Sequence, residues 1–272
     1  MRTVFGVFGD PIAHSRSPHM HNAAFRELGM ECTYHAFRVS RGNLKDALLG
    51  GKAMGFGGVN LTVPLKQEAL KIVDADPLAK SIGAVNTIDF KDGMKGYNTD
   101  GFGAKRTLEE KSVEIKGSNL LIVGAGGASR AIAFQLAKDG ANITIANRTE
   151  QKAIDLASDI SFIATSARGC GLENIKELIM ESDILINCTT MGMHPNTEGT
   201  IATSEEMHPE LTVLDIVYNP LETRLLKEAK KAGAKAITGE MMLIYQGAEA
   251  FRIWTGVEPP VSTMKKAVLE EL

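Results

Sequence analysis

The chain has 272 residues, a formal net charge of −3 and 23% charged residues, which are ordinary values for a globular protein of one or two domains. Acidic and basic residues are interspersed, so the composition argues against a nucleic-acid-binding protein. The three widely spaced cysteines, Cys32, Cys170 and Cys188, exclude a disulfide framework. The apolar run at the N-terminus is too short for a signal peptide or a membrane span, and together these features predict a cytoplasmic protein.

The first hundred residues alternate predicted strands with predicted helices, which is typical of an α/β protein with a largely parallel sheet. The apolar patterns predict strands at Thr3–Phe8, Cys32–Val39, Phe56–Val63, Ala84–Phe90 and Lys95–Asn98. Helical spacing, prolines and cap residues predict helices from Ser17 to about Leu28, at Asn43–Leu49, from Asp76 to Gly83, and from Asp100 to about Lys111.

The pattern restarts after Gly117. Strands are predicted at Asn119–Val123, Asn142–Ala146, Asp183–Asn187 and Thr212–Ile216, and helices at Gln151–Ser158, Leu221–Ala232, Met241–Trp254 and Thr263–Leu272. We therefore expect two domains. Residues 1–101 form the first, with residues 240–272 packing back on it, and residues 102–239 form the second.

Lys66 occupies an unusual place in these predicted elements. In GGVNLTVPLKQ at 57–67, a strand is followed by Pro64, which favours the first turn of a helix, so Lys66 should lie in that turn. A cation is unfavourable there because a helix N-terminus carries partial positive charge. The lysine either points into solvent or is held there for a chemical purpose. Residue patterns alone favour solvent for Lys66 and a simple helix cap for Asp100.

A glycine-rich turn is the strongest local signal. The segment LLIVGAGGASRA at 120–131 runs from an apolar strand into a helix, and a second strand follows at the spacing of a dinucleotide-binding unit. Glycines there allow a tight turn and close approach of the backbone to a pyrophosphate at the helix N-terminus. Ser129 stands at the third fingerprint position, where Gly or Ala is usual. The predicted cofactor residues of this turn are Gly124, Ala125, Gly126, Gly127 and Ala128.

The end of the second strand indicates which dinucleotide binds. It reads NRTEQK at 147–152, with Asn147 where an NAD-binding protein has an acid for the ribose hydroxyls. Arg148 and Lys152 supply positive charge for a 2′-phosphate, and arginine suits phosphate through its bidentate fork. These residues favour NADP over NAD, although a basic helix start is also common on any protein surface.

Two serines and three histidines lie close together in GDPIAHSRSPHMHN at 9–22. Ser15 and Ser17, beside a helix N-terminus, could bind a carboxylate, but each serine alone is more simply a turn residue or a cap. His19 and His21 point to different sides of a helix, and no other ligand cluster accompanies them, so we predict no metal site.

Taken together, these motifs resemble the shikimate dehydrogenase family along essentially the whole chain and in order. The matching segments are GDPIAHSRSPHMHN, GVNLTVPLK, GAVNT at 83–87, YNTDGFG at 97–103, GAGGASRA, NRTEQK, INCTTMGM at 186–193, DIVYNPLETRLL at 215–226 and GEMMLIYQGAEAFRIWTG at 239–256. The resemblance implies an N-terminal substrate-binding domain, a Rossmann-type NADP-binding domain and a cleft between them. It also implies reversible reduction of 3-dehydroshikimate to shikimate by NADPH, on the route to chorismate and the aromatic amino acids.

The resemblance assigns roles to individual residues. Lys66 and Asp100 match the family's catalytic pair, and Ser15 and Ser17 match its carboxylate-binding hydroxyls. The ring hydroxyls are matched by Thr62, Lys66, Asn86, Asp100 and Gln246, and Tyr218 matches the tyrosine that closes the substrate pocket. The adenosine phosphate cluster is matched by Asn147, Arg148 and Thr149, and the surroundings of the nicotinamide by Gly239 and Met242.

Two departures from the family pattern concern the cofactor. Lys152 stands where an arginine is frequent, which puts some of the NADP preference in doubt, and Glu240 stands where many members have a small or apolar residue. Neither touches the catalytic pair. A lysine amine ordinarily titrates near ~10.4, and the sequence leaves open whether Lys66 or Asp100 carries the proton.

Three alternatives remain open at this point. One is a quinate/shikimate enzyme that accepts a further ring hydroxyl or uses NAD. The second is a non-catalytic NADP- or shikimate-binding regulator, which would be expected to have lost Lys66 or Asp100. The third is a folate-linked dehydrogenase, which would leave HSRSP and NTDGFG unexplained. For partners, we expect a small-molecule substrate, no nucleic acid and no membrane, and a monomer or homodimer.

Overall fold

The computed structural model describes residues 2–270, and the chain divides into two compact units. The first unit comprises residues 2–103 together with 244–270, and the second comprises residues 104–243. Each unit is built around one six-stranded sheet. The α/β class and the Rossmann-type sheet expected from the sequence are confirmed. Among residues 2–270, no helix combines the length and apolar character needed to cross a membrane.

The elements of the first unit begin with a βαβ arrangement. In chain order they are β1 (Thr3–Gly9), α1 (Ser17–Glu27), β2 (Cys32–Arg38), α2 (Leu44–Ala53), β3 (Gly58–Leu61), β4 (Asp74–Ala75), α3 (Pro77–Ile82), β5 (Thr87–Asp89), β6 (Lys95–Tyr97) and the start of α4 (Asp100–Glu110). The strand order is β2-β1-β3-β5-β6-β4. The β1, β2 and β3 strands are parallel, whereas β5 is antiparallel to both β3 and β6, so this sheet is more mixed than the sequence indicated.

The elements of the second unit form a fully parallel sheet. They are β7 (Asn119–Val123), α5 (Gly127–Lys138), β8 (Asn142–Ala146), α6 (Glu150–Ile160), β9 (Ser166–Cys170), α7 (Ile175–Met180), β10 (Ile184–Asn187), β11 (Thr212–Asp215), α8 (Arg224–Lys231), β12 (Lys235–Ile237) and the start of α9 (Glu240–Thr255). The strand order β12-β11-β10-β7-β8-β9 is that of a dinucleotide-binding fold. Helix α10 (Val261–Leu269) follows in the first unit.

The last two helices contribute to the core of the first unit. Trp254 of α9 lies 5.0 Å from the Phe5 ring and donates a hydrogen bond of 3.0 Å from its indole nitrogen to the Ile88 carbonyl. Helix α10 packs against α1. The two C-terminal helices therefore pack on the elements with which the chain begins.

Two local expectations were wrong. Pro64 does not open a helix. Lys66 lies in a turn, and the 3₁₀ helix that follows spans Glu68–Lys71. Residue Arg16, not Ser17, occupies the N-cap of α1. All four residues of β3 are buried, because β3 lies between β1 and β5 in the sheet.

Candidate functional site

Most of the predicted substrate residues of the first unit come together at one edge of its sheet. Parallel strands β1 and β3 end there, and the Thr62 N–H donates to the Phe8 carbonyl at 2.9 Å. Strand β5 begins beside the end of β3, so the Leu61 N–H reaches the Asn86 carbonyl at 2.8 Å. The Val85 N–H donates to the Lys66 carbonyl at 2.8 Å, which fixes the Lys66 backbone beside Asn86.

Lys66 is neither at a helix N-terminus nor free in solvent. Its Nζ donates to Asp100 Oδ2 at 2.6 Å. The Lys66 side chain is 26% exposed and the Asp100 side chain 9%, so the lysine is the more accessible of the two and the carboxylate is largely buried. Asp100 Oδ1 accepts a second hydrogen bond of 2.7 Å from Asn86 Nδ2. Both carboxylate oxygens therefore have donors, whereas an ammonium at Lys66 keeps two N–H groups for a ligand.

A chain of buried hydrogen bonds supports Asn86 from behind. The Tyr34 hydroxyl donates to Asn60 Oδ1 at 2.7 Å, and Asn60 Nδ2 donates to Thr87 Oγ1 at 3.0 Å. The Thr87 hydroxyl in turn donates to Asn86 Oδ1 at 2.9 Å. Because each donor and acceptor in this chain has one orientation, the Asn86 amide N–H is directed at Asp100 before any ligand arrives.

Sequence analysis missed Tyr34, Asn60 and Thr87. The alternation of Asn60 with Val59 and Leu61 was used only to predict a strand. A polar side chain between Val59 and Leu61 in a central strand must find a partner in the core. The signal was therefore present in the sequence, but it could be used only once β3 was known to be central.

The predicted carboxylate-binding serines lie in the segment between β1 and α1. Ser17 is buried, and Ser15 Oγ accepts from the Ser17 N–H at 3.4 Å. Thr62 is half-buried beside the end of β1, where its methyl group leaves room only for a glycine at position 9. Gln246 is half-buried on α9.

The three histidines of the N-terminal motif do not converge. His14 and His19 are exposed, whereas His21 is fully buried and stacks on Tyr34 with ring centroids 4.4 Å apart. Neither ring nitrogen of His21 has a hydrogen-bond partner among residues 2–270, and burial lowers its pKa to about 3. Within residues 2–270, no three His, Cys, Asp or Glu side chains are grouped so as to hold a metal ion.

The glycines of the turn in the second unit serve two different purposes. Gly124 has a φ of +112°, and a Cβ there would lie 3.2 Å from the Cys188 carbonyl, so the chain itself requires glycine. Added Cβ atoms at Gly126 and Gly127 would meet nothing within 4 Å among the described residues, and neither glycine has a positive φ. Their missing side chains leave open space beside the N-terminus of α5, which is what a bound pyrophosphate needs.

Ser129, the departure from the fingerprint, has a clear structural role. It is fully buried, and its Oγ accepts a hydrogen bond of 3.3 Å from the Gly126 N–H. The same oxygen would lie 3.3 Å from a Cβ at Gly124. A small hydroxyl thus fits against the turn and satisfies one backbone donor at the start of α5.

A pocket of about 730 Å³ opens beside this turn, within the second unit. Its lining includes five of the predicted cofactor residues, namely Gly124, Ala125, Gly126, Asn147 and Arg148. The opposite wall comes from the segment after β10, including Thr189 and Met191. The other predicted cofactor residues, Gly127, Ala128, Thr149, Lys152, Gly239 and Met242, are not part of that lining.

Two positively charged side chains lie where the sequence predicted a binding site for a 2′-phosphate. Arg148 and Lys152 are exposed at the start of α6, and within residues 2–270 the Arg148 guanidinium makes no ion pair. Asn147 donates from Nδ2 to the Thr149 carbonyl at 2.9 Å, which holds the turn. Glu150 is also exposed in the first turn of α6.

The segments after β10 and β11 meet at one buried carboxylate. Asp215 accepts from Asn187 Nδ2 at 2.9 Å, from the Val217 N–H at 3.0 Å and from the Thr223 hydroxyl at 2.6 Å. Burial raises the pKa of Asp215 to about 6, against the opposing effect of these hydrogen bonds. Tyr218 follows on the same segment and is half-buried.

Gly239 and Met242 lie where β12 leads into α9. A Cβ at Gly239 would come within 2.5 Å of the Asp215 carbonyl, so the backbone there packs directly on the end of β11, and Met242 is buried. Cys188, at the start of the segment after β10, lines the pocket. Its burial raises the thiol pKa to about 12, so the group is neutral and unreactive near pH 7.

Comparison with protein families agrees with this geometry. A model described as the shikimate dehydrogenase substrate binding domain matches residues 7–88. A shikimate / quinate 5-dehydrogenase model matches residues 105–221, and a shikimate 5'-dehydrogenase C-terminal domain matches residues 239–269. The matched segments cover most of both units.

Individual relatives match over the full length. The chain is 63% identical to the shikimate dehydrogenase (NADP(+)) of Methanosarcina mazei, over 100% of this chain and 99% of that one. A crystal structure of a shikimate dehydrogenase in complex with NADP+ superposes with a TM-score of 0.94 and 48% identity, covering 99% of this chain and 96% of that one. The Thermus thermophilus enzyme in complex with NADP(H) and shikimate gives a TM-score of 0.91 and 39% identity, covering 99% of this chain and 100% of that one.

Proposed function

Because the chain belongs to the shikimate dehydrogenase family, we propose that it catalyses the reversible, NADPH-dependent reduction of 3-dehydroshikimate to shikimate, a step on the route to chorismate. The observation that carries this proposal is the Lys66–Asp100 pair, whose 2.6 Å contact puts a proton donor and a carboxylate together beside Asn86. A non-catalytic relative would have no need to keep that pair.

The proposed reaction moves a hydride and a proton. The nicotinamide ring, when bound, supplies or accepts the hydride. The protein must supply or accept the proton at the substrate oxygen. The more exposed position of Lys66, and the two hydrogen bonds that already occupy Asp100, favour Lys66 as the group that faces the oxygen. Asp100 then orients the amine, and such acid–base work contributes about 10²–10⁴ in rate.

Substrate recognition is assigned to the polar groups around this pair. The Ser15 and Ser17 hydroxyls would bind the ring carboxylate, and Thr62, Asn86 and Gln246 the ring hydroxyls. The arrangement of donors around Asn86 is fixed by the chain from Tyr34, which supports selection of one ring geometry. Tyr218 is assigned to the substrate by its match to the family pattern.

Cofactor binding is assigned to the second unit. The open space at Gly126 and Gly127 suits the pyrophosphate, and the exposed Arg148 and Lys152 suit a 2′-phosphate. The 730 Å³ pocket between the glycine turn and the segment after β10 has the volume of a small-molecule site. Gly239 and Met242 remain the candidates for contact with the nicotinamide.

The experiment that tests this function is steady-state oxidation of shikimate and of quinate, each with NADP+ and with NAD+, followed by the absorbance of the reduced nicotinamide. We expect turnover with shikimate and NADP+ and far less with the other three pairs. Comparable rates with quinate or NAD+ would instead indicate an enzyme of broader specificity. If a folded preparation gave no turnover with any pair, the protein would be a binding protein rather than an enzyme.

A further inference from the structure

The buried carboxylate of Asp215 joins two segments that are distant in sequence. Its strand partner in the sheet is Asn187, so the last residues of β11 and β10 lie side by side at the same sheet edge. The segment after β10, residues 188–193, leads into the lining of the 730 Å³ pocket, and the segment after β11, residues 216–223, carries Tyr218. One side chain thus stands between the predicted cofactor pocket and a predicted substrate residue.

Asn187 connects Asp215 by hydrogen bonds to residues that line the pocket. Its Nδ2 donates to Asp215 Oδ1 at 2.9 Å, and this fixes which way the amide points. The Asn187 Oδ1 then accepts from the Thr189 N–H at 2.9 Å and from the Thr189 hydroxyl at 2.7 Å. Thr189 Oγ1 accepts from the Met191 N–H at 3.1 Å. Thr189 and Met191 both line the pocket.

Two further bonds fix the other segment. The Val217 N–H donates to Asp215 Oδ1, which closes a tight turn immediately before Tyr218. The Thr223 hydroxyl donates to Oδ2 at 2.6 Å, and Thr223 is itself the buried N-cap of α8. The turn that carries Tyr218 is therefore held at both of its ends by the same carboxylate.

The three donors match a group that only accepts. The Asn187 amide, the Val217 N–H and the Thr223 hydroxyl all donate to Asp215, and an ionised carboxylate accepts all three. An asparagine amide would place an N–H against the Thr223 hydroxyl and could keep that contact only if the hydroxyl reversed its hydrogen. With its pKa near 6, Asp215 is ionised at pH 7.5. A carboxylate is costly to bury, and its three charge-assisted hydrogen bonds are the compensation.

We propose that Asp215 is a positioning residue that holds residues 188–193 and residues 216–223 in one joint arrangement, so that the cofactor pocket and Tyr218 are set together. It does not touch the reacting atoms. This proposal rests on the proposed function as far as NADP+ and shikimate are concerned. The joint holding of the two segments can be measured without either ligand.

The first test is amide hydrogen exchange of the full-length chain without ligands at pH 7.5, comparing wild type with Asp215→Asn. We expect exchange to accelerate at least tenfold in both segments, while the glycine turn and residues 58–66 keep their wild-type rates. The control is Asp183→Asn, the same change at an exposed aspartate whose Oδ2 accepts from the Asn119 N–H. The control should leave both segments unchanged. Acceleration in only one segment, or in neither, would overturn the proposal.

A second pair of variants decides the matter if Asp215→Asn does not fold. Thr223→Val removes one of the three donors, and Thr223→Ser keeps it. Thr223→Val should accelerate exchange in residues 188–193 as well as in 216–223, and Thr223→Ser should restore wild-type rates in both. If Thr223→Val loosened only residues 216–223, the link through Asp215 would be refuted.

Ligand measurements connect the arrangement to activity. We expect Asp215→Asn to raise the Kd for NADP+ about tenfold and to raise the KM for shikimate, because both segments move. If wild type itself binds no NADP+ and turns over no shikimate, the proposed function fails, while hydrogen exchange still tests the positioning role. If wild type is active and Asp215→Asn matches it in Kd, KM and exchange, only the positioning role fails.

Discussion

The two units present their candidate site residues in contrasting ways. In the first unit, the Lys66–Asp100 pair is backed by buried amides and hydroxyls that already have partners. In the second unit, the glycine turn offers backbone groups and empty space, and Arg148 offers a charge without an ion-pair partner among residues 2–270. The first arrangement suits chemistry on a small ligand whose groups must meet fixed donors. The second suits a large ligand that brings its own negative charge.

The largest effect on activity is expected from removing the Lys66 amine from the hydrogen-bonded site of the first unit. Lys66→Met keeps the aliphatic stem and removes the amine, and we expect kcat for shikimate oxidation to fall by about 10²–10⁴. The Kd for shikimate, measured by titration calorimetry, should change far less. A variant that lost shikimate binding but kept its kcat would show that Lys66 only binds substrate.

Acid should lower the free energy of unfolding through His21, because the folded first unit keeps this histidine neutral. The pKa of His21 is lowered from 6.5 to about 3 by burial, so the unfolded chain takes up a proton that the folded chain refuses. The contribution of neutral His21 to the free energy of unfolding is complete above pH 6.5. Below that pH it falls by about 1.4 kcal/mol for each pH unit, until the pH nears the pKa of His21 in the folded protein. Urea unfolding between pH 7.5 and 4.5 measures this slope.

The matched variants for that slope are His21→Leu and His14→Leu. His21→Leu should flatten the fall in unfolding free energy below pH 6.5, whatever it does to stability at neutral pH, whereas His14 is exposed and its replacement should leave the slope unchanged. Equal slopes for wild type and His21→Leu would show that His21 does not determine the acid sensitivity.

A smaller effect is expected from the charge of the second unit. Arg148→Gln should raise the Kd for NADP+ about 10–100-fold, because a hydrogen bond to a charged group is worth about 1.5–3 kcal/mol. The Kd for NAD+, which has no 2′-phosphate, should stay unchanged. The matched control is Arg168→Gln, an exposed arginine of β9 that pairs with Glu181. An equal loss for both dinucleotides would contradict the assignment of Arg148 to the 2′-phosphate.

The smallest effect tests the empty space at the glycine turn. Gly126→Ala adds a methyl group where the chain leaves room, so we expect NADP+ and NAD+ both to bind about tenfold more weakly. The melting temperature should fall by no more than about 2–4 °C, because Gly126 is the N-cap of α5 and alanine caps a helix less well than glycine. Gly50→Ala is the control, since a Cβ there also meets nothing within 4 Å but lies in helix α2 of the first unit, where alanine should raise rather than lower stability. Unchanged dinucleotide binding by Gly126→Ala would mean that the space serves no ligand.

The sequence predicted the second unit better than the first. Strands β7 and β8 matched their predicted bounds. In β7 an apolar run leads into the glycine turn, and in β8 apolar residues alternate with Asn142 and Thr144 before the NRT turn. Strand β9 was missed because Ser166–Cys170 has no apolar run. It forms against α6, where Gly169 lets the strand approach the Ala153 backbone, a tertiary contact that no local pattern shows.

The site of the first unit required knowledge of the sheet. Local spacing put Lys66 in the first turn of a helix and gave Asn60 no role beyond the strand. The placement of Lys66 was wrong because it treated residues 57–67 as isolated from the rest of the chain. The contact of Lys66 with Asp100 joins residues 34 positions apart. Only the combined motifs indicated that such a contact should exist.

The most direct test of this account is a double-mutant cycle on the pair itself, measuring kcat for shikimate oxidation with saturating NADP+ in wild type, Lys66→Met, Asp100→Asn and the double variant. If Asp100 acts by orienting the Lys66 amine, the double variant should be no slower than Lys66→Met alone. If the losses of the two single variants multiply in the double variant, the two residues act independently, and the fixed pair is not the centre of the reaction.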